Sequence, residues 1–225
     1  MDFPGLITVG PDDREYAESA ITLLGDSFME EMWFSTWLEA LDAAGIGEKR
    51  KRALLHAVFA DDVEAFSPYG AIHMLEDMTA AVGGYLFSEL RGETLTSIEG
   101  KQAGRHFLAE ATDEERALLE RREHEMEPIS SFDWARDHAQ GDHINFFAWA
   151  VDKNARGKGS LRRALEPFFA YADEHGLNCY LECYADRLQS MYEHLGFELV
   201  DELHSPDFDV FERRMVRYPR PGANR

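Results

Sequence analysis

Cysteine is nearly absent: Cys179 and Cys183 are the only two in 225 residues, too few for a disulfide scaffold. Their spacing of four within an extended run sets both side chains on one face of a strand, without the arrangement of a zinc site. They are expected as small buried apolar residues. Positive charge is scarce as well, with 23 Lys and Arg against 43 Asp and Glu and a formal charge of −20. Such a field repels a phosphate backbone and attracts a cationic amine, so no nucleic acid is expected as the main partner. No stretch approaches the ~20 apolar residues of a membrane span, and the N-terminus has neither a basic region nor an apolar run of signal-peptide length. The expectation is a soluble, cytoplasmic protein with no membrane association. The P-loop pattern G-x-x-x-x-G-K-[ST] and the dinucleotide pattern G-x-G-x-x-G are both missing. His138 and His143 lack a third ligand, so no metal is expected.

The hydrophobic content, 44%, is enough for one substantial core, and residues 1–218 are read as a single domain with a disordered tail over 219–225. Residues 6–9 read as a strand and Pro11 opens a helix with a stripe at Tyr16, Ala20, Leu23 and Leu24. Aromatic and apolar residues crowd a second helix over 28–41, as core or as the wall of an acceptor pocket, and Gly45 and Gly47 break it. A polar helix over 48–65 precedes two strands, 71–75 and 78–90, turning at Glu76 and Asp77. The adjacent Gly83 and Gly84 predict a bulge or a close backbone approach. Residues 91–140 are helical and strongly charged, with a capping box at Thr112 and Glu115. They are read as an insertion covering one edge of the sheet. From 143 the pattern alternates strand and helix, which predicts a parallel pair joined by a helical crossover in a mixed α/β sheet.

The segment Val151-Asp-Lys-Asn-Ala-Arg-Gly-Lys-Gly-Ser-Leu161 leaves an apolar strand and enters an amphipathic helix. Amides at a helix start have no internal partner and lie at the positive end of the dipole, so they form an anion site. Gly157 and Gly159 remove side chains that would hold a diphosphate away. Lys153, Arg156, Lys158, Arg162 and Arg163 reverse the charge of the chain locally. A glycine turn with a purely steric purpose would read the same in isolation. Downstream, Leu188, Met191, Tyr192 and Leu195 form a stripe ended by Gly196, and Tyr192 on it is equally a structural ring. Pro167 removes one hydrogen bond from the crossover helix and predicts a kink near Arg163.

Together, VDKNARGKGSLRRAL and, some thirty residues later, YLECYADRLQSMYEHLGFELVDE resemble the acyl-CoA loop and the tyrosine helix of the GNAT N-acetyltransferase superfamily, over residues 143–203. The resemblance implies the GNAT fold, with the insertion between strands 3 and 4. It implies acetyl-CoA as cosubstrate, held by Ala150, Val151, Arg156, Gly157, Lys158, Gly159, Ser160 and Leu161, and Tyr192 as the acid that protonates departing CoA. Lys153 replaces the family's usual proline, Leu161 its Gly or Ala, and Ala185 a common Asn. The implied reaction is direct attack by a primary amine of a small molecule or peptide on the thioester in a ternary complex. A free alkylamine, with a pKa near ~10.4, must first lose a proton. Glu182 is the first candidate base, with His143 or Asp142 next. A catalytically inactive acyl-CoA-binding module and a purely structural α/β domain are the competing readings. The acceptor is left open, as is oligomeric state, with a homodimer among the options.

Overall fold

A computed structural model describes residues 3–102 and 104–220. The chain opens with β1 (Leu6–Thr8), α1 (Arg14–Phe28), α2 (Met32–Leu38), α3 (Glu48–Phe66), β2 (Ile72–Leu75) and β3 (Ala80–Leu86). Four short helices follow: α4 (Leu95–Gln102), α5 (Arg105–Glu110), α6 (Asp113–Met126) and α7 (Trp134–His138). The last third gives β4 (Ile144–Val151), α8 (Ser160–His175), β5 (Cys179–Cys183), α9 (Asp186–His194), β6 (Glu198–His204) and β7 (Phe211–Arg217). The strands form one sheet in the order β1-β2-β3-β4-β5-β7-β6. Its pairs are antiparallel except β4 with β5, where the α8 crossover brings the chain back in the same direction.

Both faces of the sheet are covered, which is why its central strands are apolar on both sides. Ala164, Leu165, Phe168 and Ala172 of α8 pack with Val82, Ile144, Phe146 and Leu181. On the opposite face Leu24, Leu54 and Phe59 of α1 and α3 pack with Met74, Ala81, Ala148 and Ala150. Each such fully buried Leu or Phe contributes about 1.5–3 kcal/mol. Cys179 and Cys183 are free and buried in the α8 face.

The two adjacent glycines of β3 have a definite purpose. A Cβ on Gly83 would lie 2.6 Å from the Phe147 ring, and one on Gly84 would lie 2.7 Å from that of Phe146. Both aromatic rings of β4 thus lie directly over β3 backbone, one on each face. The register slips at the same place: Gly83 pairs with Ala148 and Gly84 with Phe146, leaving Phe147 as the extra residue of a bulge.

Several expected boundaries move, each for a local reason. The helix expected over 28–41 is divided, because Glu31 caps a new helix by accepting from Phe34 N at 3.0 Å. The strand expected to reach residue 90 stops at Leu86, and Phe87–Leu90 coil into a 3-10 turn that Asp142 fixes through Ser88 N and Oγ. The insertion lies on the α1–α3 layer where coverage of a sheet edge was expected. Its Leu95, Ile98, Leu119, Met126 and Ile129 join the core of that layer, and Arg50 of α3 holds Glu115 at 2.8 Å beside the Thr112 capping box. Its last part, from Glu127 on, reaches β6, the edge strand, and β7. α8 runs unbroken through Pro167. Arg220, expected in a disordered tail, donates its amide to Asp173 Oδ1 at 2.8 Å; residues 221–225 of that tail lie outside the described residues. Among the described residues no helix is long and apolar enough to cross a membrane, and no three His, Cys, Asp or Glu are grouped to hold a metal.

Candidate active site

β4 and β5 pair only at Ile144 with Cys179 and Asn145 with Tyr180. Beyond these residues the strands have no ladder between them, and the bulge at Phe147 marks where β4 departs. Because Phe147 is extra, Phe147 and Ala148 both serve the α1–α3 face, while Phe146 and Trp149 serve the α8 face. A cavity of about 570 Å3 occupies the resulting gap. It passes through the sheet: Trp149, Leu161, Leu188 and Tyr192 line it on the α8 face, and Trp33, Phe34, Phe147 and Tyr184 on the other.

At the α8 end the cavity reaches the glycine turn. Lys153–Ala155 form a 3-10 turn that Asp152 caps by accepting from Asn154 N at 2.8 Å. Gly157 and Gly159 then take φ of +76° and +85°, the left-handed region that glycine adopts without strain. Arg163 N is the first α8 amide with a backbone acceptor, Gly159 O at 3.0 Å; the amides of Ser160, Leu161 and Arg162 precede it at the positive end of the helix. The cations are more committed than their number suggested. Arg163 reaches Asp77 at 2.8 Å, and Asp77, bonded to Thr79 and Arg163, is held down at about 2. Lys153 and Arg156 face Glu30 at 3.6 and 3.7 Å, distances that leave both exchangeable for another anion. Lys158 and Arg162 have no ionic partner among the described residues. Ala150, Val151, Arg156, Gly157, Gly159, Ser160 and Leu161 all line the cavity; Lys158 does not.

Acidic groups come to the same cavity from two distant parts of the sequence. Glu31 spends Oε2 on capping Phe34, while its Oε1 is buried with no partner. Burial outweighs the help of the Phe34, Trp33 and Met32 amides and raises its carboxyl to about 7. Glu182 on β5 also lines the cavity with a buried, unpartnered Oε1. Burial, with the Glu212 charge behind it, pushes Glu182 well above the ordinary carboxylate range. The Tyr184 hydroxyl and Trp149 Nε1 are likewise buried and unpartnered, and both residues line the cavity. Four buried polar atoms without a protein partner around one cavity are available to hydrogen-bond a molecule that enters it.

Tyr192 stands where the two ends meet on the α8 face. Its ring packs edge to face on Trp149, centroids 4.9 Å apart, and burial raises its hydroxyl above the usual phenol range, so it is a proton donor and not a phenolate. The structure brings Tyr192 and Glu182 into the cavity but not His143. That residue sits ahead of β4, its Nδ1 3.0 Å from Gly141 O and its ring stacked on Phe87 at 4.8 Å, and it is not among the lining residues. Asp142 is occupied by Ser88. Glu31 was missed as a titrating group, although it lies within the 28–41 run read as core or as an acceptor wall. A polar residue immediately ahead of an apolar helical run was the available signal.

The seven-stranded mixed sheet, opened at its central parallel pair above a glycine turn, is a fold shared with solved structures. A Corynebacterium glutamicum structure described as histone acetyltransferase HPA2 and related acetyltransferase superposes with a TM-score of 0.57 at 18% identity, covering 99% of this chain and 100% of that one. Arylalkylamine N-acetyltransferase 2 from Aedes aegypti superposes with a TM-score of 0.52 at 15% identity, covering 96% and 98%. In sequence, an uncharacterised N-acetyltransferase of Schizosaccharomyces pombe is 39% identical over 57 residues, a match spanning 25% of this chain and 23% of that relative's length. Residues 88–197 match the Acetyltransferase (GNAT) family model.

Proposed function

We propose that the protein transfers an acetyl group from acetyl-CoA to a primary amine by direct attack in a ternary complex. The observation that carries this reading is the cavity through the β4–β5 gap, which connects the α8 glycine turn on one face with Glu31 on the other. The residues present suit the cosubstrate. The first-turn amides of α8 and Arg156 match a diphosphate. The open edge of β4 beyond Asn145 has no β5 partner, so its amides and the Trp149 indole can donate to an acyl-pantetheine arm.

On this reading the amine enters from the α1–α3 face as a cation. Glu31, near 7, is partly ionised at neutral pH and takes the proton. Burial pushes Glu182 well above the ordinary carboxylate range, which suits a hydrogen-bonding group, and the role of base passes to Glu31. The neutral nitrogen attacks the thioester carbonyl, whose developing oxyanion is met by β4 amides. The intermediate collapses with loss of the CoA thiolate, for which a thiol reference value is ~8.5; the phenol of Tyr192 supplies its proton, and the second proton lost by the attacking nitrogen as it becomes the amide restores that phenol.

Continuous measurement of free thiol from acetyl-CoA in the presence of a primary amine tests this. Glu31→Gln is expected to lower kcat by about 10²-fold or more while leaving the KM for acetyl-CoA unchanged. Wild-type activity should rise with pH through the neutral range and lose that limb in the variant. Acetyl-CoA binding without amine-dependent thiol release would instead favour an inactive acyl-CoA-binding module.

A further inference from the structure

We infer that the acceptor is a small primary amine with an apolar, aromatic-sized body and no anionic group, drawn in as a cation by Glu31, with Glu182 lining the same cavity. This rests on the acetyl-transfer reading and narrows it. The wall on the α1–α3 face is built from Trp33, Phe34, Phe132 and Phe147, rings that favour an apolar body. The polar atoms offered there, Glu31 Oε1, Glu182 Oε1 and the Tyr184 hydroxyl, are buried and unpartnered, and each has an oxygen lone pair to accept with. An ammonium carries three donors and no acceptor, and matches that set.

The basic side chains lining the cavity are Arg156 and Arg187. They come from the glycine turn and the first turn of α9, not from the elements that supply the acids. A carboxylate on the acceptor would therefore sit beside two acids with no cation to meet it. Peptides are disfavoured by the insertion. Leu95 and Phe132 line this end of the cavity, and Trp33 ties the insertion to it through Nε1 to Ser130 Oγ at 3.0 Å and ring contact with Phe132 at 5.8 Å. A main chain would need an open groove where these residues stand. A long polycation fits no better, since one ammonium meets the acids and the next meets aromatic walls.

The full chain is assayed with acetyl-CoA against phenethylamine, phenylalanine, spermidine and a short peptide with a free N-terminus, alongside calorimetry of acetyl-CoA alone. Phenethylamine should give the highest kcat/KM. Phenylalanine, the same body with a carboxylate, should be on the order of 10²-fold worse, the scale expected when a buried charge lacks its partner. Glu182→Gln should raise the KM for phenethylamine about tenfold with the KM for acetyl-CoA unchanged. Equal or better use of phenylalanine, spermidine or the peptide overturns the inference while leaving acetyl transfer in place. Binding of acetyl-CoA with no acetylation of phenethylamine also overturns it. No binding of acetyl-CoA removes the transferase reading itself.

Discussion

Replacing Glu31 by Gln should make the protein slower and, above neutral pH, more stable. In the folded chain this carboxyl titrates near 7, against 4.5 for the free group, chiefly because it is buried. Between those values the folded state holds a proton that the unfolded chain has released, so stability falls as pH rises through the window and levels off above it. The full difference corresponds to about 3 kcal/mol. It is an upper bound for the variant's gain, because Gln retains an acceptor for Phe34 N but adds an amide to a buried site. For a chain of this size a gain of that order moves Tm by roughly 6 °C or more. Thermal unfolding of wild type and Glu31→Gln at pH 5 and pH 8.5 reads it directly. The Tm difference should favour the variant at pH 8.5 and shrink toward zero or reverse at pH 5. An equal difference at both pH values would refute the reasoning, since it would mean that Glu31 does not titrate between them.

Gly83→Ala forces a methyl group to within 2.6 Å of the Phe147 ring and should cost about 1–3 kcal/mol in urea unfolding; adding Phe147→Ala should recover part of that loss, and strict additivity would show that the ring is not the obstacle. Arg217→Ala abandons Asp173, which the guanidinium grips with two bonds of 2.8 Å, and should cost about 3–5 kcal/mol at neutral pH. Burial alone would raise Asp173, but the bonds from Arg217 and the Arg220 amide prevail and hold it below 3.8. Their contribution is present above the unfolded value and is lost as pH falls through the folded one, so the variant should show a flatter acid limb. Tyr192→Phe should lower kcat with little change in the affinity for acetyl-CoA, and an unaltered rate would assign the ring to packing alone.

The strand and helix order, the Gly83–Gly84 irregularity, the glycine turn and Tyr192 were all legible in the sequence. Each is carried by a local signal: period two or 3.6, paired glycines, a stripe ended by Gly196. Glu31 was not legible in the same way. Its titration depends on burial and on a β4–β5 opening created by residues more than a hundred positions away. The same limit explains His143, whose place near the sheet suggested a base but whose ring is turned into Phe87 and Tyr180. It also explains the insertion, whose helices and charge were visible while the packing of Leu95, Ile98, Leu119 and Met126 on the α1–α3 layer was a property of the tertiary structure.

The central claim is that the start of α8 holds the diphosphate of acetyl-CoA beside Tyr192. Isothermal titration of the intact chain with acetyl-CoA should give saturable heat with one site per chain. Gly159→Val, which places a β-branched residue at a φ of +85°, should weaken that binding at least about tenfold. Saturable binding of equal strength in both proteins would show that the ligand is held elsewhere, and no heat with either would contradict the account.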